Sequence, residues 1–171
     1  MTVFNIRTAR LQSGDQFRDV KEVDLEPLEL GGQRYVPIPE SPEAALTLTR
    51  LSSGLMLELE FGVRLVGPCV RCLGDAGLDV AVDDRQYQAT DPEDDEELRT
   101  PYLQDDRLDL SAWARDAVAL ALPDQILCRE DCVGLCPVCG RDLNVEPHEH
   151  EDEGGDDRWA KLAELRDRLS S

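Results

Sequence analysis

The stretch from Cys128 to His150 constrains this chain more than any other. It reads Cys128-Arg129-Glu130-Asp131-Cys132-Val133-Gly134-Leu135-Cys136-Pro137-Val138-Cys139-Gly140, then runs into an acidic tract that holds His148 and His150. Four of the six cysteines and both histidines of the chain lie here, and the other two cysteines sit together in Cys69-Val70-Arg71-Cys72. A closed structural zinc site takes four such ligands. Cys69, Cys72, Cys128, Cys132, Cys136, Cys139, His148 and His150 therefore suffice for two sites, with none left over. The spacing supports the count. In Cys-x-x-Cys both sulfurs can face one ion from a tight turn. Pro137 fixes the entry to one such turn, and Gly140 after it can take positive φ. Gly67-Pro68 before Cys69 and Leu73-Gly74 after Cys72 mark the other pair as a turn too.

The chain opens without a basic-then-apolar leader and contains no run of about 18 apolar residues, so neither a signal peptide nor a membrane span is expected. The expected compartment is the cytoplasm. Paired thiols there bind metal or cycle redox state more often than they form disulfides. A thioredoxin-like motif needs a βαβ setting, which neither pair has. A zinc deaminase needs His-x-Glu ahead of Pro-Cys-x-x-Cys. Here the proline falls inside the pair and His148-Glu149-His150 follows it.

Two partitions of the ligands are open. In one, Cys69, Cys72, Cys128 and Cys132 share an ion, while Cys136, Cys139, His148 and His150 share a second. In the other, Cys128, Cys132, Cys136 and Cys139 hold one ion, which orphans Cys69 and Cys72. The first is preferred because it uses every ligand. The expected cofactor is zinc, one or two ions, in a structural role. The histidines are the weaker half, because His-x-His on an acidic loop is often only solvated.

At 171 residues the chain suits one domain with an appendage and can bury a sizeable core. Its net charge is −19, with 37 acidic against 18 basic residues. Such a chain repels a phosphate backbone over most of its surface and favours a basic partner, such as a ribosomal or other nucleic-acid-binding protein. Direct RNA contact would fall to Arg71, Arg129 and Arg141 around the cysteines. No phosphate-cradling glycine loop is present, and no general base stands beside an open metal position, so an enzyme and a small-molecule substrate are not expected.

Along the chain, residues 3–10 and 20–25 alternate apolar and polar side chains and read as strands. Residues 28–39, with Gly31-Gly32 and two prolines, read as a turn or edge segment. Residues 45–51, 55–66 and 78–87 carry the strongest alternation. They predict antiparallel strands whose last turn presents Cys69 and Cys72. Residues 91–108 form an acidic loop on composition. A helix is predicted over about 109–122, capped by Asp109 or Ser111 and stopped by Pro123, with Leu110, Trp113, Ala114, Ala117, Val118 and Ala121 on its core face. It leads straight to Cys128. The fold class is α+β: an antiparallel, barrel-like β-sheet with one packed helix and a zinc-knuckle-like C-terminal region. Residues 1–127 make the mainly β domain, and 128–150 make a Cys/His region packed on it. Residues 151–171 make an acidic linker and a short helix carrying Trp159, Leu162, Ala163 and Leu165.

The order of these features resembles the YceD family of large ribosomal RNA subunit accumulation proteins. The resemblance covers most of the chain. It rests on Cys69-Val70-Arg71-Cys72-Leu73 after paired strands, on Asp109-Leu110 opening a helix, and on Ala119-Leu120-Ala121-Leu122-Pro123. It rests further on Leu127 through Asn144 and on the closing Asp157-Arg158-Trp159-Ala160-Lys161-Leu162, where Asp157 replaces the family's proline. Many members end the second motif with Cys-x-Cys where His148-Glu149-His150 stands here. Some lack the Cys136–Cys139 knuckle yet keep counterparts of Cys69, Cys72 and Cys132, which favours the first partition. The resemblance implies a cytoplasmic, non-enzymatic factor that supports the level of large-subunit ribosomal RNA. Its expected partner is a ribosomal protein or the large-subunit precursor, with any RNA contact indirect.

Overall fold

Alternating side chains build the centre of the fold. The computed structural model describes residues 1–91 and 98–150. The described chain divides into two compact units, Met1–Cys132 and Val133 onward. In the first, β1 (Val3–Asn5) is followed by a 3-10 turn (Ile6–Ala9), β2 (Gln16–Glu22), β3 (Leu28–Leu30), β4 (Gln33–Ile38), β5 (Glu43–Arg50), β6 (Gly54–Pro68), β7 (Asp75–Ala89), β8 (Leu103–Gln104), β9 (Arg107–Asp109) and α1 (Leu110–Ala121).

Strand β6 is the spine. Along one side it pairs with β5, Ala45 opposite Glu60 through Arg50 opposite Leu55, and then with β4, Val36 opposite Val66. Along the other it pairs with β7 over its whole length, Gly54 opposite Ala89 through Pro68 opposite Asp75. β2 extends the sheet beyond β5, and β3 beyond β4. Every second residue of β6 from Leu55 to Leu65 points inward and is buried, joined by Leu46 and Leu48 of β5 and by Val80 and Val82 of β7. Removing each such side chain from water contributes roughly 2 kcal/mol.

The inner face is covered by α1. Asp109 caps the helix, its Oδ1 accepting from the Ala112 N–H at 3.0 Å, and Leu122 turns extended just before Pro123. Leu110, Trp113, Ala114, Ala117 and Val118 are buried, one face at helical spacing. The Trp113 indole donates to Asp84 on β7 at 2.5 Å, which pins the helix to the sheet. A small sheet of β1, β9 and β8 closes one end, with Phe4 opposite Leu108.

Several expectations are corrected or sharpened. The sheet is not closed into a barrel: β7 pairs only with β6 and β2 only with β5, so the outermost strands never meet. The helix and the small sheet supply the cover that closure would otherwise give. Residues 103–108, expected within the acidic loop 91–108, form with Asp109 the β8–β9 hairpin. Its turn is Asp105-Asp106, both at positive φ (49° and 63°). Residues 28–38 likewise form a true hairpin, with Gly31 and Gly32 at φ 59° and 77°. The opening strand is short and turns at Ile6. The expected linker and C-terminal helix at 151–171 lie outside the described residues, as does most of the acidic tract at 92–97.

Candidate metal centres

The first centre is assembled where β6 hands over to β7. Tyr35 of β4, fully buried, donates its hydroxyl to the Pro68 carbonyl at 2.8 Å and so fixes the end of β6. Gly67 makes room for it, since a Cβ there would lie 2.7 Å from the Arg34 carbonyl oxygen and 2.6 Å from the Tyr35 ring. The next residues make a tight turn. The Cys69 N–H donates to Gly74 at 2.7 Å, the Leu73 N–H to Cys69 at 3.0 Å, and Leu73 takes the left-handed conformation. The segment after α1 is drawn to this turn by the Val70 N–H, which donates to the Ile126 carbonyl at 3.1 Å. Arg71 reaches over it, its Nη1 donating to the Cys132 carbonyl at 2.8 Å.

These contacts bring four sulfurs together. Cys69 Sγ lies 3.8 Å from Cys132 Sγ, and Cys72 Sγ lies 3.6 Å from Cys128 Sγ. All four lie within 4.8 Å of one another. A tetrahedral zinc with bonds of about 2.3 Å sets its sulfurs ~3.8 Å apart, whereas a disulfide needs about 2.05 Å. The set fits a metal, and all six cysteines are free thiols. Cys69 and Cys132 are buried, Cys72 is half-buried and Cys128 is exposed.

Charge argues the same way. Burial works to raise the Cys69 thiol, but the backbone N–H groups of Cys72, Cys128 and Arg71 outweigh it and draw the pKa down to about 6. Burial, and then the neighbouring sulfurs of Cys72, Cys132 and Cys69, push Cys128 up to about 12. Four thiols this close cannot all ionise alone, because each thiolate opposes the next. A divalent cation removes that opposition.

The second centre belongs to the second unit and is local. Leu135 bridges to Asp142, the Cys136 N–H donates to Arg141 at 2.8 Å, and the Gly140 N–H, at φ 73°, donates to Cys136 at 2.8 Å. Asn144 closes the loop by accepting from the Val133 N–H at 2.9 Å. The Asp142 carbonyl accepts from Val145 and Glu146, which turns the chain back toward the cysteines. His148 Nδ1 then donates to the Glu146 carbonyl at 2.7 Å, leaving Nε2 to face Cys139 Sγ at 3.1 Å. The rings of His148 and His150 stand perpendicular with centroids 5.0 Å apart. One ligand atom from each of Cys136, Cys139, His148 and His150 lies within 4.8 Å of the others. The Cys139 and Val138 N–H groups, against some burial, draw Cys136 down to about 6. The Glu146 carbonyl and the Cys136 sulfur raise His148.

Each of the eight sequence-named ligands thus falls in one of two groups, divided as the first partition has it. The three arginines near them are engaged: Arg71 with Cys132, Arg129 with Asp131 at 3.1 Å, and Arg141 with Glu146 at 3.2 Å. The sequence reading missed the parts played by the Ile126 and Glu146 carbonyls, which no residue type advertises. Asn144, two residues after Asp142 in a Cys-x-x-Cys loop, was a readable turn signal.

Comparison with known proteins decides the family. The profile described as the large ribosomal RNA subunit accumulation protein YceD matches residues 57–166. The chain belongs to the YceD family. The match takes in β6, β7, α1 and both ligand groups. The chain is also 39% identical over 126 residues to uncharacterized proteins of Mycobacterium bovis and Mycobacterium tuberculosis, covering 70% of this chain and 59% of theirs. An uncharacterized protein of Mycobacterium leprae is 38% identical over 105 residues, covering 58% of this chain and 48% of its own. The chain therefore spans about three fifths of the length of the first two relatives. No solved structure matches it. Among the described residues no helix is long and apolar enough to cross a membrane.

Proposed function

We propose that this YceD-family chain is a non-enzymatic, cytoplasmic factor in large ribosomal subunit biogenesis. It supports accumulation of large-subunit ribosomal RNA by binding a basic ribosomal protein. Zinc at Cys69/Cys72/Cys128/Cys132 and at Cys136/Cys139/His148/His150 plays a structural role. Each group offers four protein ligands, which leaves no open position for catalysis. When bound, the ion neutralises the clustered thiolates and ties their backbone segments together.

One observation carries the partner. The net charge is −19, and the outer face of the sheet is acidic where β6 and β7 run side by side. Glu58, Glu60, Asp75, Asp79 and Asp83 alternate with inward apolar residues there; among the described residues Arg64 answers Asp79 (2.8 Å), and Arg85 answers Glu58 (3.1 Å) and Asp83 (3.9 Å). Such a face speeds encounter with a basic protein and repels bare RNA. The test is a pull-down of the tagged chain from lysate with and without ribonuclease, read by mass spectrometry. Ribosomal proteins that stay bound after ribonuclease support the reading. Partners that vanish with the RNA overturn it in favour of contact through nucleic acid, and Arg71, Arg129 and Arg141 become the residues to test.

A further inference from the structure

Among the described residues, strand β7 has a strand partner on one side only. All fifteen of its residues pair with β6 in one unbroken register, so the strand carries no bulge. Among the described residues its other side meets no strand, and no backbone group from Asp75 to Gln88 hydrogen-bonds to backbone outside β6. At about 3.3 Å per residue this leaves an open edge ~50 Å long. Proteins blunt such edges with proline, lysine, a bulge or a very short strand, because an open row of N–H and C=O groups recruits other strands. β7 carries no proline, lysine or bulge; its one guard is charge, four aspartates with Asp84 turned inward to Trp113, and that guard turns away acidic or apolar strands rather than basic ones. The other outer strand of the spine, β2, is half as long and mixes signs, with Arg18 and Lys21 beside Asp19 and Glu22.

Charge says what the β7 edge will accept. Asp75, Asp79 and Asp83 share its outward face with Arg85, and Glu60 lies opposite Asp83 on β6; Arg64 pairs with Asp79 at 2.8 Å and Arg85 lies 3.9 Å from Asp83, which leaves the face acidic on balance. A second copy of this chain, laid edge to edge, would set aspartate rows against each other, and like charges facing across a strand pair destabilise it. A strand with cationic side chains on that face meets opposite charge instead.

We propose that the outer edge of β7 is a docking rail on which an extended basic segment of a partner protein adds as a further strand. Backbone hydrogen bonds along the edge hold it, and the aspartates, spaced four residues apart with Gly77 and Ala81 between them on the same face, select lysine or arginine opposite each of them. This rests on the basic-partner reading above and names the surface and the conformation that such a partner uses.

The test uses the full chain and two synthetic probes. One is a peptide of about ten residues alternating lysine and threonine. The other has the same side chains with every backbone nitrogen methylated, so its charge is kept while it loses every N–H donor that could bond the β7 carbonyls. The first should slow amide exchange at alternate positions of Asp75–Asp83, and the second should bind at least about tenfold more weakly. Asp79→Asn with Asp83→Asn should weaken the first peptide by roughly tenfold. Equal binding of both probes, or binding without protection of β7, overturns the rail. If ribosomal proteins survive ribonuclease in the pull-down while that happens, the basic-partner reading stands and only the docking mode falls. If none survive, the broader reading falls first.

Discussion

The two ligand groups differ in how far they reach for their atoms. The first joins Cys69 to Cys132 across 63 residues and ties the tip of a long hairpin to the segment that follows the helix. Two of its sulfurs are part of the hydrophobic core. The second joins Cys139 to His148 across nine residues, and only Cys136 among its ligands is buried. Closing a longer loop opposes more chain entropy, so a tie across it removes more freedom from the unfolded state. The first centre should therefore hold up the whole of its unit. The second should shape only its own loop.

The largest expected effect comes from breaking the first tie. Cys132→Ser should abolish cooperative melting of the first unit, because structural zinc supplies on the order of 10 kcal/mol and whole domains hold only about 5–15. Circular dichroism on heating, with zinc content measured in parallel, checks it. A variant with an unchanged melting curve would show that the core alone suffices. Leu57→Ala sharpens the same comparison from the apolar side. Leu57 is fully buried in β6, and its truncation should cost about 3 kcal/mol by urea titration while zinc stays bound. Cys139→Ser should remove the second ion and move the first unit's stability by less than about 0.5 kcal/mol. A larger change would mean that the two centres are energetically one.

Acid should separate the centres more subtly. Cys69 has its thiol drawn below its ordinary 9.0 to about 6, so its thiolate contributes stability above 9.0 and loses it as pH falls toward 6. His148 is shifted the other way, above 6.5. A protonated imidazole cannot ligate. Because Cys139 and His150 are exposed while Cys69 and Cys132 lie in the core, acid should reach the second centre more readily and release its zinc at a higher pH than the first, and a zinc-sensitive dye followed during acidification would record two steps in that order. Simultaneous release would remove the distinction.

The same contrast marks what the sequence made legible. β5, β6, β7 and α1 could be read to within a few residues, because strict alternation and a capped helical face state their own geometry. The β8–β9 hairpin was hidden. Its turn is Asp-Asp rather than the usual Asn-Gly or Asp-Gly, and it sits in a run of charge that reads as loop. The open sheet was not legible either, since alternation fixes which face a residue shows but not whether the outermost strands meet. At the sites, the ligands could be counted from residue type and spacing. What could not be read were the carbonyls of Ile126 and Glu146 and the reach of Arg71 to Cys132, because backbone acceptors carry no sequence signature.

The most direct measurement is zinc per chain by inductively coupled plasma mass spectrometry, on the unmodified protein and on Cys136→Ser. The account predicts two ions per chain, with one remaining in the variant, whose first unit melts as before. One ion per chain that is lost in Cys136→Ser and in Cys128→Ser but kept in Cys69→Ser would place Cys128, Cys132, Cys136 and Cys139 on a single metal and contradict it.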